Sequence, residues 1–324
     1  MSGLGDGAIL VTGAAGLVGH AVRLRLEASG RRVLAVDVST GEVEGRPVLA
    51  ADVTDPHALY GLALRERVPG IVHCGALSGP MVGAREPARI VAVNVVGTIN
   101  VLELARRVGG ARVVFASSTS AVGPTPPGLS PVPEGVPLTP STVYGASKAA
   151  SEALVAGYAR EHGVDGVSLR LSWVYGPRRT TDCSLRRMLT DALASRPTQL
   201  SARADVRRQY VHVDDAANAL VQALERPSLP QPVYTITGGT WLALEAIAGE
   251  VRAAVPGAEI HFGAGDPDDD VQAEFDLSAA RRDIGYAPRV ALAAGVAHYR
   301  DHLATPPRHE AAEWRAAAWS SDRS

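Results

Sequence analysis

Two side chains on one short stretch carry the first chemical signal: Tyr144 and Lys148, within Thr142-Val143-Tyr144-Gly145-Ala146-Ser147-Lys148. A spacing of four places both on one face of a helix. A free tyrosine, with a pKa of about 10, is a poor base at neutral pH. A nearby ammonium favours the phenolate and lowers that value. A tyrosine tuned in this way can take a proton from a substrate hydroxyl while hydride leaves the carbon that bears it. Ser118, in the run Ser117-Ser118-Thr119-Ser120, could hydrogen-bond the same oxygen. Alone, a Tyr-x-x-x-Lys spacing is common at exposed helix starts. Its weight comes from what precedes it.

What precedes it is a place for a hydride acceptor. Ala8–Val11 is an apolar run of strand type, Thr12 to Gly19 turns the chain, and Leu17–Leu26 continues with helical spacing. In such a strand–turn–helix unit Gly13 makes the tight turn, Gly16 lets backbone approach a diphosphate, and Gly19 lets the helix lie close on the strand. The helix N-terminus then offers free N–H groups and a positive dipole end. A second strand, Arg32–Val36, ends in Asp37, whose carboxylate can accept hydrogen bonds from both hydroxyls of an adenosine ribose. The cationic ring of an oxidised nicotinamide cofactor would add to the pull of Lys148 on Tyr144.

The positioning elements alternate through the first half. Pro47–Ala51 reads as a third strand, ending at Asp52-Val53-Thr54-Asp55. Asp55 and Pro56 can open the next helix as cap and first-turn residues, and Asp52 either meets the adenine amino group or caps locally. Gly70–Cys74 is a fourth strand, followed by the loop Gly75–Pro80, at the strand end where doubly wound sheets bind ligands. Glu86–Arg107 is a long helix whose apolar face is interrupted by Asn94. Asn94 either orients the loops around the cofactor or is a surface amide. Arg112–Ala116 is a fifth strand, and the proline-rich 124–140 is a candidate lid. A helix from about Tyr144 to Glu161 and a sixth strand, Val167–Leu171, lead to Trp173-Val174-Tyr175-Gly176-Pro177. Helices then follow at Leu185–Ala194, Asp214–Glu225 and Leu242–Ala254, with strands at Gln209–Val213 and Pro232–Ile236. Thr305–Ser324 reads as a surface-docked or frayed tail.

Composition bounds the class. With 324 residues, 46% hydrophobic and 20% charged, the chain suits one large domain, or a domain with a smaller lobe. A net charge of −2 gives no reason to expect nucleic acid or an anionic membrane as partner. No apolar run approaches bilayer length on this reading, and Met1–Gly7 has no leader pattern. Cys74 and Cys183 form no Cys-x-x-Cys pair and read as free thiols of a reducing cytoplasm.

As a set, Thr12-Gly13-x-x-Gly16-x-x-Gly19, Asp37, Asp52-Val53, Asn94 in Val-Asn-Val-Val-Gly-Thr, Ser118 and Tyr144-Gly-Ala-Ser-Lys148 resemble the extended short-chain dehydrogenase/reductases. More narrowly the chain resembles the NAD-dependent epimerase/dehydratase family. The resemblance runs from Ile9 to about Pro288 and includes Arg208–Ala217 and Phe275–Pro288. It implies a Rossmann-type doubly wound parallel sheet over residues 1–176, with 208–238 packing back onto it. Residues 177–324 would be mainly a smaller C-terminal α/β substrate lobe and tail. It implies a catalytic Ser118, Tyr144 and Lys148, with Lys148 also on the nicotinamide ribose. It implies NAD contacts from Gly13, Gly16, Leu17, Val18, Gly19, Asp37, Asp52, Val53, Gly75, Ala76, Leu77, Ser78, Asn94, Ser117, Tyr144 and Lys148. It implies a homodimer through a bundle of the Glu86–Arg107 and Tyr144–Glu161 helices. Asp37, with no basic residue after it, argues for NAD over NADP, since a 2′-phosphate would meet a like charge.

Substrate contacts are expected from Ser78, Ser118, Thr119, Tyr144, Trp173, Arg178, Arg179 and Arg208. Nucleotide-sugar members of the family carry an Asn where this chain has Trp173. They also carry an Arg near the acidic run Gly263–Asp270, where this chain has none. Arg208, in the position resembling the other diphosphate clamp, is retained. Arg178 and Arg179 either hold an acid group or are ordinary surface arginines. His212 with Asp214 and Asp215 suggests a metal, but the same stretch recurs in the family as a strand and helix start, so none is expected. The reading is a sugar epimerase or dehydratase that takes a sugar or sugar-nucleotide substrate. The alternatives are a net dehydrogenase of a small sugar or sugar acid, supported by Trp173 and the missing late Arg, and a non-catalytic NAD-binding sensor.

Overall fold

The computed structural model describes residues 4–63, 65–79, 81–83, 85–265 and 271–305. In the first half, β1 (Ala8–Thr12) leads through α1 (Leu17–Ala28) to β2 (Arg32–Asp37), β3 (Gly41–Val43), β4 (Arg46–Ala50), α2 (Pro56–Ala63) and β5 (Gly70–His73). Then come α3 (Pro87–Val91), a π-helical turn (Ala92–Val96), α4 (Gly97–Arg107), β6 (Arg112–Ser118), α5 (Val143–His162) and β7 (Gly166–Leu171). The second half holds β8 (Trp173–Tyr175), α6 (Ser184–Leu193), β9 (Thr198–Leu200), β10 (Arg207–Arg208), β11 (Tyr210–His212) and α7 (Val213–Glu225). It closes with β12 (Val233–Ile236), β13 (Leu242–Ala243), α8 (Leu244–Ala254), β14 (Ile260–Phe262), a second π-helical turn (Ala280–Ile284) and α9 (Leu292–Ala304).

Eight strands form one sheet in the order β12-β7-β6-β5-β1-β2-β4-β3, parallel except for the β3–β4 hairpin. Strands with both faces covered read as continuous apolar runs, and β1 is buried at every residue. One core, with Ile9, Val11, Leu169 and Leu220, lies on one face; another, with Leu10, Ile71, Leu102 and Phe115, lies on the other. A third core, with Met188, Ile247 and Tyr299, belongs to the lobe of α6, α8 and α9. The strand order reverses between β1 and β5, and crevices at such switch points bind ligands.

The second half of the chain returns twice to the sheet. Helix α7 packs on α1, and β12 extends the sheet edge beside β7. Later, Leu277, Ala280, Ile284 and Tyr286 join the core beneath α7.

Three expectations change. The single third strand is a hairpin, whose turn residues Glu44 and Gly45 have φ of 49° and 71°, both left-handed as the tightest hairpin turns require. The long helix is not uniform: it loosens into a π-helical turn around Asn94. The proline-rich segment is no lid. Val132 pairs with Phe275, Val132 and Val136 share a small core with it, and none of 124–140 lines the large cavity.

One helical run, Pro87–Arg107, is apolar and long enough by composition to cross a membrane, against the sequence reading. It packs on α2 and α5, and Asn94 within it is hydrogen-bonded into the protein interior. Pro80, the Asp266–Asp270 part of the acidic run and the tail 306–324 lie outside the described residues.

Candidate functional site

A cavity of about 1580 Å³ opens at the carboxyl ends of β1, β2, β5 and β6. At one end lies the glycine turn. Gly13 has φ 66°, and a Cβ there would sit 2.8 Å from the Cys74 carbonyl. A Cβ on Gly19 would lie 2.1 Å from the Gly13 carbonyl oxygen, so only glycine lets α1 dock on the turn. Around Gly16 nothing but that oxygen, at 3.2 Å, comes within contact distance, and no side chain caps α1. Its first N–H groups are left for an anion in the cavity.

Asp37 accepts from the Ala15 and Val38 amides at 2.9 and 2.8 Å. Burial nevertheless pushes its carboxyl up from the ordinary value, and nearby Asp52 adds to this. Unpaired hydroxyl donors would relieve that state, which is the chemistry of a ribose diol. Asp52 also lines the cavity, with one oxygen spent on the Thr54 amide and hydroxyl, each at 2.8 Å. Glu42 lines the same end and Val38 stands 52% exposed there. The anion site, the carboxylate and the apolar flank fit a dinucleotide.

At the other end, Thr142 caps α5 by accepting from the Gly145 amide at 3.0 Å. That cap sets Tyr144 on the first turn, 7% exposed, with its hydroxyl bonded to Ser118 and Ser78. Burial pushes the phenol above its ordinary value; Ser118, Ser78, Arg179 and the Gly79 amide oppose this. Lys148 lies one turn on, with Nζ 2.8 Å from the Ala116 carbonyl and 5.9 Å from the Tyr144 ring centroid. Burial lowers its pKa to about 8. The expected lowering of Tyr144 by Lys148 is therefore corrected for the ligand-free protein: burial dominates, and Arg179 is the cation drawing the phenol down.

Asn94 does not reach the cavity. Its amide accepts from the Leu77 N–H at 2.8 Å, donates to the Leu77 carbonyl at 3.2 Å and to Ser147 Oγ at 2.9 Å. It pins the Gly75–Ser78 loop to α5, the orienting role that the sequence offered for it. The π-helical turn also frees the Asn94 carbonyl to accept from Thr98 and Ser151 at 2.6 and 3.0 Å. Ser117 lines the cavity, yet its hydroxyl is turned to Glu152, at 2.5 Å.

Glu152, one turn beyond Lys148, is paired with Arg170 at 2.7 Å; both side chains are buried. The pair ties α5 to β6 and β7 beneath the site. Glu152→Ala leaves Arg170 buried and unpaired, and is expected to cost about 3–5 kcal/mol in denaturant unfolding. A loss under about 1 kcal/mol would show that water reaches the pair.

Leu17, Val18, Val53, Gly75, Ala76, Leu77, Ser78, Thr119, Trp173 and Arg179 all line the cavity. Arg179 directs its guanidinium to the carbonyls of Val174, Thr181 and Asp182. Arg178 is at the dinucleotide end, bonded to the Ala15 carbonyl and to Glu44, away from the substrate end where it was expected. Arg208 does not line the cavity: it is 9% exposed and lies over the Trp173 ring, 5.4 Å from its centroid. Arg89, Arg186 and Thr190 line the substrate end and were not foreseen. They sit on helices, where nothing in their spacing marks them as cavity residues.

His212 has His298 of α9 beside it, with rings stacked 25° from parallel and 5.6 Å apart. With Asp214 these two histidines bring ligand atoms within 4.8 Å of one another, a grouping that could hold a metal ion and that the sequence reading, with Asp215 in place of His298, did not expect to be used. Cys183 is a free thiol that accepts from the Arg186 amide at 3.4 Å and caps α6.

Known proteins align with this geometry. UDP-glucose 4-epimerase of Mycolicibacterium smegmatis is 32% identical over 306 residues, spanning 89% of this chain and 96% of that protein. Thermus thermophilus UDP-glucose 4-epimerase, solved with NAD, superposes with a TM-score of 0.83 at 28% identity, over 93% of this chain and all of that one. A partial-consensus L-threonine 3-dehydrogenase superposes with a TM-score of 0.81 at 28% identity, over 92% of this chain and 99% of that one. Residues 9–237 match the NAD dependent epimerase/dehydratase family. With its glycine turn, Asp37 and Tyr144–Lys148 helix around one cavity, the chain belongs to that family and uses NAD.

Proposed function

We propose that this enzyme oxidises a secondary hydroxyl of a nucleoside-diphosphate sugar, with Tyr144 as the base, and completes an epimerisation or dehydration without net consumption of NAD. The observation that carries the reading is the Tyr144 hydroxyl, held by Ser118 and Ser78 in the cavity that begins at the glycine turn. The N–H groups at the start of α1 would hold the dinucleotide's diphosphate and Asp37 its adenosine ribose. Bound NAD supplies a hydride acceptor at the Tyr144 end. Tyr144 removes the hydroxyl proton, and Ser118 positions the oxygen. Lys148, with a pKa of about 8, lies close enough to neutrality to exchange protons with that end of the cavity. Thr180, Thr181, Thr190 and Arg186 offer hydroxyl and guanidinium groups to a sugar.

One observation favours a second reading, a net dehydrogenase of a smaller sugar or sugar acid. Trp173 lines the cavity, while the retained clamp arginine, Arg208, lies over its ring at 5.4 Å and does not itself line the space where a substrate diphosphate would lie. The discriminating measurement is NAD released from acid-quenched protein, alongside sugar nucleotides and free sugar acids watched for NADH and for product sugars. Co-purified NAD and an altered sugar nucleotide, with no free NADH, support recycling. An empty site, with NADH formed from a small sugar acid, replaces it with the dehydrogenase. In either case Trp173→Asn removes the ring beside Arg208 and restores the amide that nucleotide-sugar relatives carry, and is expected to raise kcat/KM for a nucleoside-diphosphate sugar about tenfold, the worth of one charged hydrogen bond. No change would remove Arg208 from the substrate site.

The same reading includes a homodimer in a reducing cytoplasm. Val91, Val96 and Val143 stand 44%, 43% and 43% exposed on the π-containing helical run and at the start of α5. These apolar residues suit a partner's matching helices. Light scattering at micromolar concentration should give twice the chain mass; a monomer would refute the dimer.

A further inference from the structure

Among the described residues only three besides glycine have left-handed backbone: Glu44, Arg178 and Ser195. Two of them meet. Glu44, at the tip of the β3–β4 hairpin, and Arg178, in the loop after β8, are 134 residues apart and pair at 3.3 Å. Their φ values are 49° and 71°. Left-handed backbone costs free energy in side-chain-bearing residues and persists where surrounding contacts over-determine it, most often at ligand clamps and switches. A pair with Glu44 35% exposed is too weak alone to hold two such residues in place.

The contacts around the pair make it a bridge between lobes. The second Glu44 oxygen is 3.1 Å from Nε2 of His20, a residue 1% exposed on α1. The Arg178 amide donates to Nε2 of His302 on α9, at 3.0 Å. Arg178 Nη2 lies 3.4 Å from the Ala15 carbonyl, within the glycine turn. Glu44, Gly45, Arg178, His302 and Leu303 all line the cavity at this end. The other cations lining it include Lys148, held at Ala116, and Arg179 and Arg186, held on backbone carbonyls of the 174–182 stretch.

We propose that Glu44 and Arg178 form an interlobe latch over the glycine turn, which closes on the diphosphate of the bound dinucleotide and sets how long the cofactor stays. The inference rests on NAD as cofactor. A diphosphate on the first turn of α1 brings negative charge beside the guanidinium, which then has anionic partners on two sides, the diphosphate and Glu44. The hairpin and the end of α9 are drawn over the same spot. Long residence is what an enzyme that recycles its NAD requires.

The test is the release of NADH from loaded protein, chased with excess NAD and followed by loss of dihydronicotinamide fluorescence. Glu44→Gln and Arg178→Ala should each speed release about tenfold. Arg178→Lys should fall between wild type and Arg178→Ala, since the charge is kept but the fork is lost. The double variant should be no faster than Arg178→Ala, because the two residues act as one unit. Release within about twofold of wild type in both single variants, or independent effects that multiply in the double variant, would overturn the latch. Wild-type protein that binds no NADH would overturn the cofactor assignment along with it, so the two failures are distinguishable. Glu44→Gln is a hairpin-tip change outside every core cluster, so the test does not depend on the arginine variants folding.

Discussion

Tyr144→Phe is expected to lower turnover by about 10²–10⁴-fold, the usual worth of a positioned proton-transfer group, while NAD affinity stays within about threefold. The phenyl ring keeps the volume of a side chain that is 7% exposed, so packing on the first turn of α5 is preserved. What disappears is the hydroxyl shared with Ser118 and Ser78. In the wild type, burial holds the phenol above its ordinary value, so the ligand-free enzyme carries it protonated at neutral pH. Turnover of the wild type should therefore climb as pH rises through neutrality, and the residual rate of the variant should not. Single-turnover cofactor reduction checks the rate, and calorimetric titration with NAD checks the binding. Wild-type turnover in the variant would sink the proposed mechanism.

Lys148→Met should separate catalysis from stability. Turnover is expected to fall at least about 100-fold, because the amine that exchanges protons with the Tyr144 end of the cavity is gone. Stability should move the other way. Burial lowers the Lys148 pKa from 10.5 to about 8. Between those values the unfolded chain binds the proton and the folded one does not, so wild-type stability rises with pH across that window. Below about 8 the folded protein carries the cost of a buried ammonium, about 3 kcal/mol. Met escapes it, less about 1 kcal/mol for leaving the Ala116 carbonyl without its donor. Denaturant unfolding at pH 7 should find the variant more stable by about 2 kcal/mol, with that advantage gone by about pH 9.5. A less stable variant at pH 7 would mean that the ammonium is solvated or paired more strongly than its contacts show.

Local signals survived folding where chemistry and backbone need coincide. The glycine turn was legible because Gly13 and Gly19 answer close approaches of 2.8 and 2.1 Å that any side chain would block. Tyr144 and Lys148 were legible because helix periodicity alone puts them together. The β3–β4 hairpin was not, since β3 has three residues and no alternation to read. The proline-rich lid failed because proline content reports only what a segment cannot form; Val132 and Val136 tie it to Phe275 instead. The partners of Asn94 were not legible, because the sequence could not show that the π-helical turn aims its amide at Leu77 and Ser147.

By itself, then, the sequence determined the alternation of strands and helices, the dinucleotide turn, the acid that follows β2 and the Tyr–Lys pair. Each depends on spacing within one element or across one turn, where chain geometry leaves little freedom. Only the tertiary structure decided which arginines face the cavity. Arg178, Arg179, Arg186 and Arg208 lie within 31 positions of one another. One sits on the glycine turn, two among backbone carbonyls at the cavity, and one against the Trp173 ring. A long cationic side chain has many rotamers and no periodic constraint. Its partner is selected by whichever carboxylate, carbonyl or ring the packing of the two lobes brings within reach, and that choice is made by contacts more than a hundred residues apart in the chain, as between Arg178 and Glu44.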